Sequence, residues 1–314
     1  MIARMAYGLM AFLAAPAVAL AQTDGRAEDG QLGLQPAASP IMERLSDFHT
    51  GLLILITLIT LLVLALLVYC MVKFRRTANP NPSKVSHNTL IEVIWTGIPV
   101  LILVLIAIPS FNLLYFQDRI PQGELFIKVT GYQWYWGYEY PQQDNGPDGI
   151  QIDQGFSFDA YMLDEALFEP GNEPARQAAV NTLKEFLGTQ EDVDIHRLLD
   201  TDTRVVVPVD TVVRLQVTSA DVIHNFAVPA FGNKMDAIPG RLNETWFKAT
   251  RTGTFYGQCS ELCGINHAYM PIAIEVVTRE QFDAWKNRAV QVYADARPLS
   301  DTRLVSDTRL AAAR

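Results

Sequence analysis

The chain has 314 residues, enough for one or two domains, and carries 25 Lys and Arg against 34 Asp and Glu, a net charge of −9. That acidic balance argues against a nucleic-acid partner, and the lack of any Cys-x-x-Cys-His excludes a covalently attached c-type haem. The hydrophobic share of 49% is ordinary, but its distribution along the chain is not.

Residues 1–21 read as a secretory leader. Arg4 gives a basic start, residues 6–20 form an apolar core too short to span a bilayer, and Ala19-Leu20-Ala21 supplies small residues for cleavage. Cleavage between Ala21 and Gln22 would leave residues 22–48 as an outer-side N-terminal segment. Residues 51–72 and 93–116 contain no charged residue. At about 1.5 Å per residue a helix of about 22 residues reaches roughly 33 Å, enough to cross a bilayer core of about 30 Å. Transmembrane helices are therefore expected over 49–73 and 90–117, with Cys70 an inert thiol inside the first. The loop 74–89 carries Arg75, Arg76 and Lys84 beside Lys73, with no acid before Glu92, which assigns it to the cytoplasm. Both ends of the mature chain then lie outside.

From residue 118 to 278 the pattern changes to short β-type runs at 125–130, 134–140, 204–207, 212–217, 244–250, 253–256 and 272–277. Runs at this spacing, broken by Gly, Pro and Asn or Asp, predict an antiparallel sandwich or barrel. This stretch holds 23 acids and 11 bases, a formal charge of 11 − 23 = −12, which suits a basic partner. Residues 171–198 look like a surface insertion, helical over 174–186 and acidic at Glu191-Asp192-Val193-Asp194, and read as peripheral decoration. The C-terminal part, 279–314, opens with a short helix over 280–290. It then repeats Ser-Asp-Thr-Arg-Leu at 300–304 and 306–310, a polar tail expected to be disordered.

The motif that carries chemistry is Cys259-Ser260-Glu261-Leu262-Cys263-Gly264-Ile265-Asn266-His267-Ala268-Tyr269-Met270, with His224 lying 35 positions before Cys259. Thiolates together with imidazole select copper or zinc over hard cations. The part Cys263-x3-His267-x2-Met270 reads alone as the ligand loop of a blue-copper site. Cys259 adds a second thiolate for which one such copper has no place, whereas two coppers can share both sulfurs as bridges. A Cys259–Cys263 disulfide is the other reading in an oxidising compartment, although a disulfide needs neither His nor Met beside it. His49, His87 and His196 have no comparable neighbours and are read as ordinary.

These residues resemble subunit II of the haem-copper cytochrome c oxidases, whose CuA pattern Cys-Ser-Glu-x-Cys-Gly-x-x-His-x-x-Met stands here unbroken. The resemblance extends to Ser39-Pro40-Ile41-Met42-Glu43, to Glu92-Val93-Ile94-Trp95-Thr96 and to Gln133-Trp134-Tyr135-Trp136-Gly137-Tyr138-Glu139-Tyr140. It also includes Asp236-Ala237-Ile238-Pro239-Gly240-Arg241-Leu242-Asn243, so most of 39–278 is covered. Tyr132 departs from the His that many members carry, and the insertion and the tail inherit no role.

The resemblance implies a two-helix transmembrane hairpin followed by an all-β, cupredoxin-like Greek-key barrel, with the barrel in the periplasm of a bacterial inner membrane. It implies a dinuclear copper centre with His224, Cys259, Cys263 and His267 as strong ligands. Met270 would be a weak ligand to one copper and the backbone carbonyl of Glu261 to the other. The Glu261 side chain would reach a magnesium or manganese ion at the boundary with subunit I. Trp134 would be where electrons enter from reduced cytochrome c, with Glu139 and Asp221 as docking acids. Glu92 would lie at the mouth of a proton channel leading into subunit I. Electrons would continue to haem and the haem-copper centre of subunit I, where oxygen is reduced and protons are moved. Subunit III and membrane lipid are further implied partners. A copper-free quinol oxidase subunit II shares the hairpin and barrel, but it needs none of the five ligand side chains intact here. Paired-cysteine copper chaperones lack the downstream His and Met, and nitrous oxide reductase lacks the hairpin.

Overall fold

The structure, a computed structural model, describes residues 25–146 and 149–294. The leader with its cleavage site and the expected disordered tail with its repeat lie outside the described residues. Two long helices come first, α1 (Pro40–Lys73) and α2 (Thr89–Asp118), both long and apolar enough to cross a membrane. Helix α1 starts well before residue 49 because its first turn belongs to the globular domain. Ser39 caps it by accepting from Met42 N at 3.0 Å while its hydroxyl donates to the Phe231 carbonyl at 2.7 Å, and Ile41 and Met42 are buried. Helix α2 is capped by Asn88, whose side chain accepts from Leu90 N and Ile91 N.

The rest is a β-sandwich built from β1 (Leu125–Tyr132), β2 (Tyr135–Tyr140), β5 (Phe156–Ala160), β6 (Val205–Pro208) and β7 (Val212–Ser219). It continues with β8 (His224–Val228), β9 (Asn233–Ala237), β10 (Asn243–Lys248), β11 (Gly253–Cys259) and β12 (Pro271–Val277). One five-stranded sheet has the order β10-β7-β1-β2-β5 and the other β6-β12-β11-β8-β9. The pair β3 (Gln143–Asp144) and β4 (Gln151–Ile152) stands apart. Two pairings, β1 with β7 and β6 with β12, are parallel, which corrects the expectation of a wholly antiparallel domain. Alternation of apolar residues tells which face of a strand is buried and says nothing of its direction. On β1 and β7 that alternation works as expected: Leu125, Ile127 and Val129 face Val213, Leu215 and Val217 in the core.

Helix α3 (Glu173–Leu187) lies in the insertion and α4 (Arg279–Tyr293) follows β12. They close one side of the core together, with the Phe186 ring 5.9 Å from Trp285 and 5.5 Å from Phe158. Leu183 is buried as well. The insertion is thus partly a core element rather than decoration. Its exit is tied down by Arg204, which is buried and reaches Asp200 at 2.5 Å, Glu275 at 2.8 Å and the Asp194 carbonyl at 3.1 Å. A buried charge is tolerated only with partners of this kind.

The sandwich is seated on the outer ends of both helices. Trp246 of β10 donates its indole N–H to the Gln117 carbonyl at 3.0 Å, and its ring meets Phe116 edge-on. The Arg44 guanidinium also lies over the Phe116 ring, 3.5 Å from its centre.

Candidate metal centre

Three structural elements converge at one end of the second sheet. Strand β8 opens with His224, β11 ends with Cys259, and the loop that follows carries Cys263 before a single 3-10 turn, His267–Tyr269. Met270 sits just ahead of β12. The loop cannot drift, because Cys259 N donates to the Met270 carbonyl at 3.4 Å and Ser260 N to the Asn225 carbonyl at 3.0 Å. The two sulfurs lie 3.9 Å apart, and Cys259 Sγ is 3.9 Å from His224 Nδ1. Cys263 Sγ is 3.5 Å from His267 Nδ1 and 3.5 Å from Met270 Sδ. The Glu261 carbonyl oxygen is 3.3 Å from Cys259 Sγ, while its side chain points to solvent. One atom each from His224, Cys259 and Cys263 fall within 4.8 Å of one another, and all three residues are buried.

The electrostatics suit a cation. Burial raises the Cys259 thiol, but hydrogen bonds from His224, Asn225 N, the Glu261 region and Cys263 outweigh it and bring it down to about 7. Burial and the neighbouring Cys259 charge push Cys263 the other way, since two thiolates this close repel. A metal resolves that repulsion, because coordination holds both as thiolates. For His224, burial lowers the pKa, and hydrogen bonds to Cys259 and Asp221 more than restore it, so the net shift is upward.

Asp221 is part of this site. Its Oδ1 lies 2.8 Å from His224 Nε2, which fixes that nitrogen as the proton-bearing one and leaves Nδ1 toward the sulfurs. It also accepts from Val222 N and Gln133 N, each at 2.6 Å, and these bonds hold its carboxyl below the usual range against the effect of burial.

The turn between β1 and β2 supplies the remaining contacts. Trp134 stands in this turn rather than in a strand, and its indole N–H donates to the Cys263 carbonyl at 3.3 Å. The side chain of Gln133 donates to the same carbonyl at 2.7 Å. Trp136, fully buried, donates to the Met270 carbonyl at 3.2 Å and meets the His224 ring edge-on at 5.9 Å. Two glycines make the fit possible. A Cβ on Gly131 would come within 2.8 Å of the His224 ring, and one on Gly264 (φ +129°) within 2.9 Å of the Trp134 ring.

Six of the expected site residues, His224, Cys259, Glu261, Cys263, His267 and Met270, are therefore brought together, with Trp134 and Asp221 against them. Glu139 is not: it pairs with Lys128 across the β1–β2 ladder at 3.2 Å. Glu92 stands in the first turn of α2, at the end remote from the sandwich, where its Oε1 accepts from Asn88 N at 3.2 Å. Sequence reasoning missed Gln133, Trp136, Gly131 and Gly264. All four sit in or beside motifs already singled out, which was the available signal.

Comparison with known proteins agrees with this geometry. Residues 125–277 match the family profile described as cytochrome C oxidase subunit II, periplasmic domain, and residues 27–113 that of its transmembrane domain. The probable cytochrome c oxidase subunit 2 of Rickettsia bellii is 48% identical over 255 residues, covering 81% of this chain and 82% of the relative. The cytochrome c oxidase subunit 2 of Cereibacter sphaeroides is 42% identical over 288 residues, covering 90% of each. Among solved structures, the periplasmic domain of subunit II of cytochrome oxidase from Bradyrhizobium japonicum is 47% identical, with a TM-score of 0.41 over 56% of this chain and 99% of that one. Profiles matched through both hairpin and sandwich, and relatives aligned over most of their length, establish that this chain belongs to the cytochrome c oxidase subunit II family, a membrane subunit of cytochrome c oxidase with two transmembrane helices and a periplasmic domain.

Proposed function

We propose that the cluster holds a dinuclear copper centre, CuA, that accepts electrons from reduced cytochrome c and passes them to subunit I. The observation that carries this reading is the donor inventory. Each sulfur has its own imidazole, at 3.9 Å for Cys259 and 3.5 Å for Cys263, and two weak donors complete the set, a thioether and the Glu261 carbonyl. A single blue-copper site uses two imidazoles, one thiolate and one weak donor; the second thiolate and second weak donor call for a second metal. When bound, two coppers held by His224, Cys259, Cys263, His267, Met270 and the Glu261 carbonyl would spread one electron over the pair and keep reorganisation on electron transfer small.

The chain's own residues do the rest. Asp221 holds His224 in one tautomer. Trp134, half-buried and bonded to the Cys263 carbonyl, offers a short route from the surface to a ligand. The acids of the outer domain attract a basic donor, with Asp221 and Glu139 contributing charge on the side of the β1–β2 hairpin. The exposed Glu261 side chain would hold magnesium or manganese against subunit I. Glu92, the only acid near the cytoplasmic end of α2, would take up protons for the channel in subunit I. Residues 1–21 would be removed as a leader.

The deciding measurement is the EPR spectrum of the full-length chain in detergent after loading with copper. One electron shared equally over two copper nuclei gives a seven-line hyperfine pattern. A four-line pattern would mean a single copper and would overturn the dinuclear assignment.

A further inference from the structure

We infer that Tyr161, stacked on Tyr135 and Tyr132, is a docking residue for the basic electron donor and extends its seat from Trp134 to the end of β5. This rests on the donor reading above and adds to it a residue outside the aromatic run. Tyr132 and Tyr135 flank the Gln133–Trp134 turn and stand opposite each other in the β1–β2 ladder. Ladder geometry therefore brings their rings together, 4.7 Å apart and 3° from parallel. Tyr161 has no such reason to join them. Strand β5 ends at Ala160, opposite Trp136, and Tyr161 follows it outside the ladder. Its ring still lies 4.4 Å from that of Tyr135 and 27° from parallel. The chain leaving the insertion holds it there: Tyr161 N donates to Asp202 Oδ1 at 2.8 Å, and Asp202 N donates to the Tyr161 carbonyl at 3.0 Å. Tyr132 stands where many members of the family carry His, so the full stack is not a general family feature.

The stack has the surface and the charge for a basic protein. Tyr161 is 36% exposed, and Tyr132, Trp134 and Tyr135 are partly exposed beside it. The Tyr161 hydroxyl donates to Asp159 Oδ2 at 3.4 Å. Burial pushes the Tyr132 phenol up to about 12, and Tyr135, Asp159, Asp221 and Glu139 all push the same way, so carboxylates surround the stack. Tyrosine gives a large, rigid contact at low cost in side-chain entropy, and rings already packed on one another need no ordering when a partner arrives. Lysines on the rim of a basic donor would be drawn by the carboxylates and held against the rings by cation–π and apolar contact. Sheet stability accounts for the Tyr132–Tyr135 pair. It does not account for an exposed third ring fixed from outside the sheet.

The test is steady-state oxidation of a basic, soluble c-type cytochrome by the assembled oxidase at low and high salt. Tyr161→Ala should raise KM about fivefold or more with kcat unchanged, the size of effect that marks a central interface residue. The rise should persist at high salt, where docking through charge alone is screened. Tyr161→Phe keeps the ring and should stay within about twofold of the wild type, the range of an ordinary surface substitution. Reduction of the copper centre by hexaammineruthenium(II), a small donor that needs no seat, should be the same in all three proteins. A KM for Tyr161→Ala within about twofold of the wild type would overturn the inference and leave the donor reading intact. So would a rise that disappears at high salt, since the acids would then be the whole of the effect. Slower reduction by hexaammineruthenium(II) in Tyr161→Ala would make Tyr161 a support of the metal site and overturn it too. A wild type that takes electrons from hexaammineruthenium(II) but not from the cytochrome would overturn the donor reading itself, and this inference with it.

Discussion

Replacing Asp221 by Asn tests whether this carboxylate serves the metal site or the electron donor. In the structure it accepts four hydrogen bonds, from His224 Nε2 at 2.8 Å, from Val222 N and Gln133 N at 2.6 Å each, and a longer one from the Ser219 hydroxyl at 3.3 Å. Asn has one oxygen. If that oxygen stays toward His224 and Val222, its amide NH2 faces the Gln133 N–H, donor against donor; if it turns, His224 loses its acceptor. A hydrogen bond to a charged group is worth about 1.5–3 kcal/mol. The Asp221 side chain is 31% exposed, so the lower end applies, about 1.5 kcal/mol. That corresponds to roughly a tenfold loss of copper affinity, the low end of the 10–100-fold that outer partners of metal-bound His contribute. The assay is titration of the copper-free chain with copper against a competing chelator, followed at the thiolate absorption. Donor oxidation at low and high salt runs in parallel, because a docking charge acts through KM and is screened as salt rises. Unchanged copper affinity with a KM raised only at low salt would refute the orienting role and leave Asp221 as a docking acid.

Trp134→Phe keeps the ring but removes the N–H bonded to the Cys263 carbonyl, so it should cost about 0.5–1.5 kcal/mol in stability and slow electron uptake with the copper spectrum unchanged; loss of the spectrum in stopped-flow samples would make Trp134 a structural residue. Gly264→Ala places a Cβ within 2.9 Å of the Trp134 ring at a φ of +129°, and about 1–3 kcal/mol of strain should appear as weaker copper binding in the same chelator titration. Arg204→Met strands Asp200 and Glu275 in or beside the core, and denaturant unfolding should show a loss of about 3–5 kcal/mol; a loss under 1 kcal/mol would mean water already reaches the network. Glu92→Gln can still accept from Asn88 N, so the helix start survives while the ionisable group is lost; turnover of the assembled oxidase should fall, and unchanged turnover removes Glu92 from the proton path.

The metal site was legible because ligand chemistry admits few residue types. Cys, His and Met at short fixed intervals are rarely an accident of packing, and the local chain between Cys259 and Met270 closes much of the cluster by itself. His224 needed the resemblance, since nothing in its own neighbourhood fixes which loop it will face. Asp221 lies three residues before His224, yet the resemblance implies only docking for it and gives no sign of its bond to the His224 ring. The bond that defines it runs from a side chain to a ring, and sequence spacing does not encode ring orientation. Among strands, β1, β7 and β12 announced themselves by apolar alternation or β-branched runs. Strand β8 is buried at every position and so shows no alternation, whereas β5 alternates Phe156, Phe158 and Ala160 with Ser157 and Asp159 over only five residues, a short signal. The insertion hid its core contribution for a related reason. Val180, Leu183, Phe186 and Leu187 mark an apolar stripe on the helix, but only tertiary packing shows that Phe186 meets Trp285 of the core.

The two sheets meet at the metal site, and this bears on how the aromatic run should be understood. His224 and Cys259 belong to the sheet containing β8 and β11, whereas Gln133, Trp134 and Trp136 belong to the β1–β2 hairpin of the other. The hairpin donates to the carbonyls of Cys263 and Met270 and packs on the ring of His224, so it grips the ligand loop from the opposite side. A donor set held from both sheets has little freedom to rearrange when its charge changes by one, which is the condition for fast electron exchange. Sites built on strands and short turns meet this condition better than sites on long loops. The conjunction of Trp134 and Trp136 around a single turn then has two functions that sequence alone cannot separate. Trp136 is buried and serves rigidity, whereas Trp134 shares the grip and is also half-exposed at the surface. Substitutions at Trp136 should therefore disturb the copper spectrum first, and those at Trp134 the rate of electron uptake.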